Sequence, residues 1–127
     1  MATPTDRRYS KTHEWIRIEG TMAIVGITAH AQEALGDITF VDLPKIGTKV
    51  KKDTACGVIE SVKAASDLNA PASGQIAEVN SELASTPEDI NADPYGKGWI
   101  FKMSNVPEAE TAALMDAAAY DAFVENE

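Results

Sequence analysis

With 127 residues, 44% of them hydrophobic and 6% aromatic, the chain suits one domain with a core of aliphatic and small side chains. Its 20 acids against 11 bases give a net charge of −9, which disfavours nucleic-acid binding and leaves solubility or attraction to basic partner surfaces as its use. No run of about 18 apolar residues suggests a membrane span, and the N-terminal residues lack the apolar centre of a secretory signal.

Residues 13–18 alternate as a strand, with Ile16 and Ile18 on one face and Arg17 on the other. Glu19-Gly20-Thr21 turns the chain into 22–27, a nearly all-apolar strand that completes a hairpin. Trp15 is read as a packing residue. Thr28 can cap a short helix over 29–35, which Gly36 stops. Residues 37–43 read as a third strand, with Ile38, Phe40 and Asp42 on one face and Thr39, Val41 and Leu43 on the other. Pro44 ends it, because proline has no amide proton for the ladder. Lys49-Val50-Lys51-Lys52 reads as a solvated edge.

Ala55-Cys56-Gly57-Val58-Ile59 is the next strand, and Asp67-Leu68-Asn69-Ala70 returns from it into the turn Pro71-Ala72-Ser73-Gly74. Between them the chain must turn, and Lys63 sits at the tip among Ser61, Ala64, Ala65 and Ser66. An amine there has no bulky neighbour, so another enzyme's active site could admit it for covalent modification. Most exposed lysines only solvate the surface, and the tip alone does not choose between the two.

Residues 74–80 form another strand, with Gln75, Ala77 and Val79 set against Ile76 and Glu78. Together with 47–50 it places a glycine turn and a strand on each side of Lys63, a weak symmetry that suits a flattened barrel of two sheets. One helical turn follows at 81–85, and 87–98 is read as loop because proline and glycine punctuate it. Gly96-Lys97-Gly98 is too little for a phosphate cradle and serves as the turn into strand 99–103. Pro107 falls in the first turn of a helical region running through Glu127, interrupted near Asp116. Leu114, Met115, Ala118, Ala119, Tyr120 and Phe123 are its expected packing stripe. The whole chain, 1–127, is expected to be one domain with 107–126 packed on it.

Cys56 is the single cysteine, which excludes an internal disulfide and a four-thiolate zinc site. It is read as a buried small hydrophobe rather than a nucleophile. His13 and His30 stand 17 residues apart without metal-ligand spacing, so no metal site is expected. No nucleophile elbow or triad is present, and the expected role is non-catalytic.

Glu60-Ser61-Val62-Lys63-Ala64, then Ser66-Asp67-Leu68, then Ala70-Pro71 with Gly74 and Ile76, resembles the lipoyl-attachment hairpin of the glycine cleavage system H-protein family. Biotin carriers usually flank their lysine with methionines, where Val62 and Ala64 stand here. The resemblance extends to residues 9–15, 25–32, 35–38, 40–44, Ile90-Asn91 and 94–99, flanks that the lipoyl domains of 2-oxoacid dehydrogenases do not share. It implies a mainly β, barrel-sandwich lipoyl carrier of two antiparallel sheets with (R)-lipoate on Lys63. It also implies a non-catalytic shuttle between a pyridoxal-phosphate glycine decarboxylase, a folate-dependent aminomethyltransferase and dihydrolipoamide dehydrogenase, after loading by lipoate-attaching enzymes. Glu14 and Asp67 match positions the family uses near the loaded arm, though either alone reads as an ordinary surface acid. The expected location is bacterial cytoplasm, or the mitochondrial matrix if a transit peptide has been removed. Two alternatives stay open: a lipoate-relay protein serving other enzymes, and a biotin carrier.

Overall fold

In the computed structural model, which describes residues 2–127, a two-residue strand β1 (Arg8–Tyr9) leads into β2 (Glu14–Glu19) and β3 (Met22–Ile27). Helix α1 (Ala29–Leu35) starts on the Thr28 hydroxyl, which accepts the Ala31 N–H, and stops at Gly36 in positive φ, as its capping residues predict. Strands β4 (Ile38–Asp42), β5 (Lys49–Val50), β6 (Ala55–Ser61), β7 (Ala65–Asn69) and β8 (Gly74–Val79) follow. A 3₁₀ turn at Ser81–Ala84 and helix α2 (Asp89–Ala92) precede β9 (Phe101–Ser104), then helices α3 (Glu108–Ala112) and α4 (Ala117–Glu125) close the chain.

Every strand pair is antiparallel. One sheet has the order β1-β2-β3-β9-β8-β5 and the other β4-β6-β7, the two-sheet, mainly β arrangement expected. The core lies between them: Ile16, Val25, Ile27, Phe101 and Met103 from the first sheet meet Val41, Ile59 and Leu68 from the second. The opposite face of the larger sheet is covered too. There Trp15 and Ile24 pack with Tyr9, Tyr120 and Ala117, while the Arg7 guanidinium lies 4.5 Å over the Trp15 ring. Burial on both faces explains why 22–27 reads as nearly all apolar. No described helix is long and apolar enough to cross a membrane.

Some expected details are corrected. Ile18 shares Ile16's face but stays 54% exposed, so only Ile16 joins the core. A register shift between Ile38 and Phe40 breaks the simple alternation of β4: Ile38 and Val41 are both buried and Phe40 faces solvent. A second shift between Ile76 and Glu78 puts Ile76 opposite Met103 and Val79 opposite Phe101, so both face the core. The segment read as loop carries one true helical turn, α2, whose Ile90 is fully buried. In the C-terminal region Ala118 and Ala119 are exposed, and Leu114 and Met115 lie outside any helix. The buried residues of α4 are Ala117 and Tyr120, three apart and therefore on one side of the helix.

Gly57 shows how closely β4 and β6 approach. A Cβ there would stand 2.6 Å from the Asp42 carbonyl oxygen, and backbone cannot swing aside as a side chain can. Gly57→Ala is therefore expected to cost about 1–3 kcal/mol. Urea unfolding checks this; a loss below about 0.5 kcal/mol would mean that β4 yields freely.

Candidate functional site: the Lys63 hairpin

The β6–β7 hairpin is tighter than its sequence suggests. β6 runs on through Ser61 and β7 begins at Ala65, leaving only 62–64 to turn. Ser61 organises the bend. Its N–H donates to the Ala64 carbonyl at 2.8 Å, and its hydroxyl oxygen accepts the N–H groups of Lys63 and Ala64 at 3.2 Å each. The Val62 N–H donates to the Asp37 carbonyl at 3.0 Å, tying the tip to the start of β4. Val62, Lys63, Ala64, Ala65 and Glu60 are all exposed, and Lys63 makes no ion pair among the described residues. The lysine stem is not free of neighbours, however: it lies along Gly36, where a Cβ would come 3.2 Å from Lys63 Cε.

Asn91, in the segment read as loop, positions this corner. Its Nδ2 donates to Gln32 Oε1 and to the Gly36 carbonyl, both at 2.9 Å, and its Oδ1 accepts the Ile38 N–H at 2.9 Å. One side chain thus clamps the end of α1 to the start of β4, the two segments that touch Lys63 and Val62. The only local sign of this was an asparagine beside a lone isoleucine in a polar stretch. Nearby, the amides of Lys97 and Gly98 are both taken by Asp93, consistent with a turn rather than a phosphate cradle.

Glu14 and Asp67 occupy different environments. Asp67 is exposed, paired with Val58 on the face of the small sheet that also carries Asp42. Glu14 is 2% exposed, which corrects its reading as a surface acid. Its Oε1 accepts the Ser10 hydroxyl at 2.7 Å and the Thr12 hydroxyl, and its Oε2 accepts the Asn69 N–H at 3.3 Å. Burial outweighs these bonds and pushes the carboxyl up to about 7. Cys56 is half-buried against the core, its thiol directed at the Leu68 carbonyl at 3.4 Å. Burial first, then the nearby Glu14 charge, push that thiol up to about 12, so it is an inert packing group rather than a nucleophile.

The model of the glycine cleavage H-protein family matches residues 7–127. The chain belongs to that family. It is 57% identical over 123 residues to the glycine cleavage system H protein of Symbiobacterium thermophilum, covering 97% of this chain and 96% of that one. Its identity to the Cronobacter sakazakii H protein is 57% over 126 residues, covering 98% and 97%. A crystal structure of the Mycobacterium marinum H protein superposes with a TM-score of 0.86 at 43% identity, covering 96% of this chain and 98% of that one. The two-sheet body is accordingly the lipoyl-carrier barrel-sandwich fold of H proteins.

Proposed function

We propose that the chain is the lipoyl-bearing carrier of a glycine cleavage system, with (R)-lipoate in amide linkage to Lys63 Nζ. The observation that carries this reading is an exposed primary amine on a turn fixed by backbone contacts that do not use its side chain. The surroundings suit the group: Ala64 and Ala65 are small, and side-chain-less Gly36 leaves room beside the lysine stem. Bound lipoate would supply a dithiolane able to accept an aminomethyl group with reduction of its disulfide and, once that group has been passed on, a dithiol able to give up two electrons. The chain's own work is to present that arm from a rigid body at high effective concentration in each docked complex. Glu60, Ser61, Val62 and Ala64 form the surface a lipoate-attaching enzyme would read. Glycine decarboxylase, aminomethyltransferase and dihydrolipoamide dehydrogenase would be the remaining partners, and 1–127 would act as one carrier domain.

Glu14 and Asp67 are the candidates for contacting the arm. The Asn69 amide that Glu14 holds is two residues from Asp67 on β7, roughly 7 Å along the strand. Both carboxyls therefore lie against the same return strand of the Lys63 hairpin.

Reconstitution tests the reading. The lipoylated chain, mixed with the decarboxylase, glycine and labelled bicarbonate, is expected to drive label into glycine in proportion to its concentration. No exchange, but transfer of the lipoyl group to an acyltransferase domain, would favour the relay role; a streptavidin signal would favour biotin.

A further inference from the structure

His13 and His30 come from different parts of the fold, the turn before β2 and the first turn of α1, yet their ring centroids stand 4.7 Å apart. Glu127 closes the group. Its Oε2 lies 3.0 Å from His13 Nε2 and its Oε1 3.3 Å from His30 Nε2. All three potential donor atoms fall within 4.8 Å of one another. Ligands at about 2.0–2.1 Å from a tetrahedral ion stand roughly 3.4 Å apart. Each imidazole already stands near that value from one Glu127 oxygen, His13 from Oε2 and His30 from Oε1. The donor atoms must draw in from a spread of up to 4.8 Å, and His30 and Glu127 have the freedom for it at 40% exposure each.

A surface ion pair would need nothing behind it, but this cluster has an ordered support. His13 Nδ1 lies 2.7 Å from the Tyr120 hydroxyl, which lies 2.7 Å from Thr28 Oγ1. An imidazole that ligates through Nε2 carries its proton on Nδ1 and needs a fixed acceptor for it. Tyr120 supplies one: its oxygen can accept from Nδ1 while its own proton goes to Thr28. Tyr120 cannot drift, because it is buried and stacked on Tyr9 at 4.8 Å. The His13 backbone is held as well, at φ 71, with its N–H on the Ser10 carbonyl and its own carbonyl accepting the Thr28 N–H.

The geometry points to a zinc site, with His13 Nε2, His30 Nε2 and a Glu127 carboxylate oxygen as ligands and water in the fourth position. Two imidazoles and one carboxylate suit Zn²⁺, whereas Mg²⁺ and Ca²⁺ require mainly oxygen donors. The ion bolts the end of α4 to α1 and to the turn that presents Glu14.

Calorimetric titration of the untagged, chelator-treated chain with Zn²⁺ tests the site. The expected result is one ion per chain, with binding weakened at least about ten-fold in His30→Gln and in Glu127→Gln. Tyr120→Phe keeps the ring, removes the acceptor and is expected to weaken binding by about 10–100-fold. His30 and Glu127 lie outside the core, so their variants keep the wild-type circular dichroism. Absence of stoichiometric binding overturns the proposal, and so does binding that is unchanged in both His30→Gln and Glu127→Gln.

Discussion

Incubated with lipoate and a lipoate-attaching enzyme, the Lys63→Arg chain is expected to gain no lipoyl mass and to support no measurable glycine cleavage, while unfolding within about 0.5 kcal/mol of wild type. The turn does not depend on the side chain at 63. Ser61 accepts the backbone amides of Lys63 and Ala64, and Val62 is tied through its own amide to Asp37. Arginine keeps the positive charge, and its aliphatic stem can lie along Gly36 as the lysine stem does. What it cannot do is form the amide: guanidinium stays protonated and has no free amine lone pair to acylate. Intact-mass analysis and denaturant unfolding read the two halves separately. A lipoyl mass on the variant would move the attachment to another lysine, and a large fall in stability would make Lys63 a structural residue.

The second large effect is a pH dependence carried by Glu14. Its carboxyl has an ordinary value of 4.5, and burial pushes it up to about 7 in the fold. Between those values the folded chain holds a proton that the unfolded chain has lost. The associated stability is therefore fully present below about pH 4.5 and is lost as pH rises through about 7. A displacement of this size corresponds to about 3 kcal/mol. Glu14→Gln removes the titration, so its stability relative to wild type is expected to improve by about that amount between pH 4.5 and pH 8. This double difference cancels any constant cost of placing an amide against Ser10, Thr12 and Asn69. If the offset between the two proteins stays flat across that range, Glu14 is not the group that titrates. The same variant, with Asp67→Asn, tests arm contact: unchanged exchange kinetics in both would place the two acids off the arm.

Much of the fold was readable because its signals are local. Thr28 and Gly36 bracket α1 residue for residue, since each cap acts within one turn of the helix. The strand pair around Lys63 was legible for the same reason, although its turn proved shorter than expected. Strand faces were less legible. Alternation predicts which side chains share a face only while the ladder is regular, and shifts at β4 and β8 depend on the partner strand, which the local pattern does not name. In the C-terminal stripe Leu114, Met115, Tyr120 and Phe123 do pack, but Ala118 and Ala119 face solvent, because alanine is small enough to suit either the covered or the open side of α4.

By itself, the sequence determined that Lys63 stands at a hairpin tip, that the helix after β3 has defined ends, and that 13–18 and 22–27 form a hairpin. Each of these follows from interactions spanning a few residues. Only the tertiary structure decided that Glu14 is buried against Asn69, that Asn91 clamps α1 to β4 beneath the tip, and that His13, His30 and Glu127 meet. Those outcomes join positions far apart in the chain. Which side chain loses its water, and which polar groups then replace that water, is set by the element that happens to cover it.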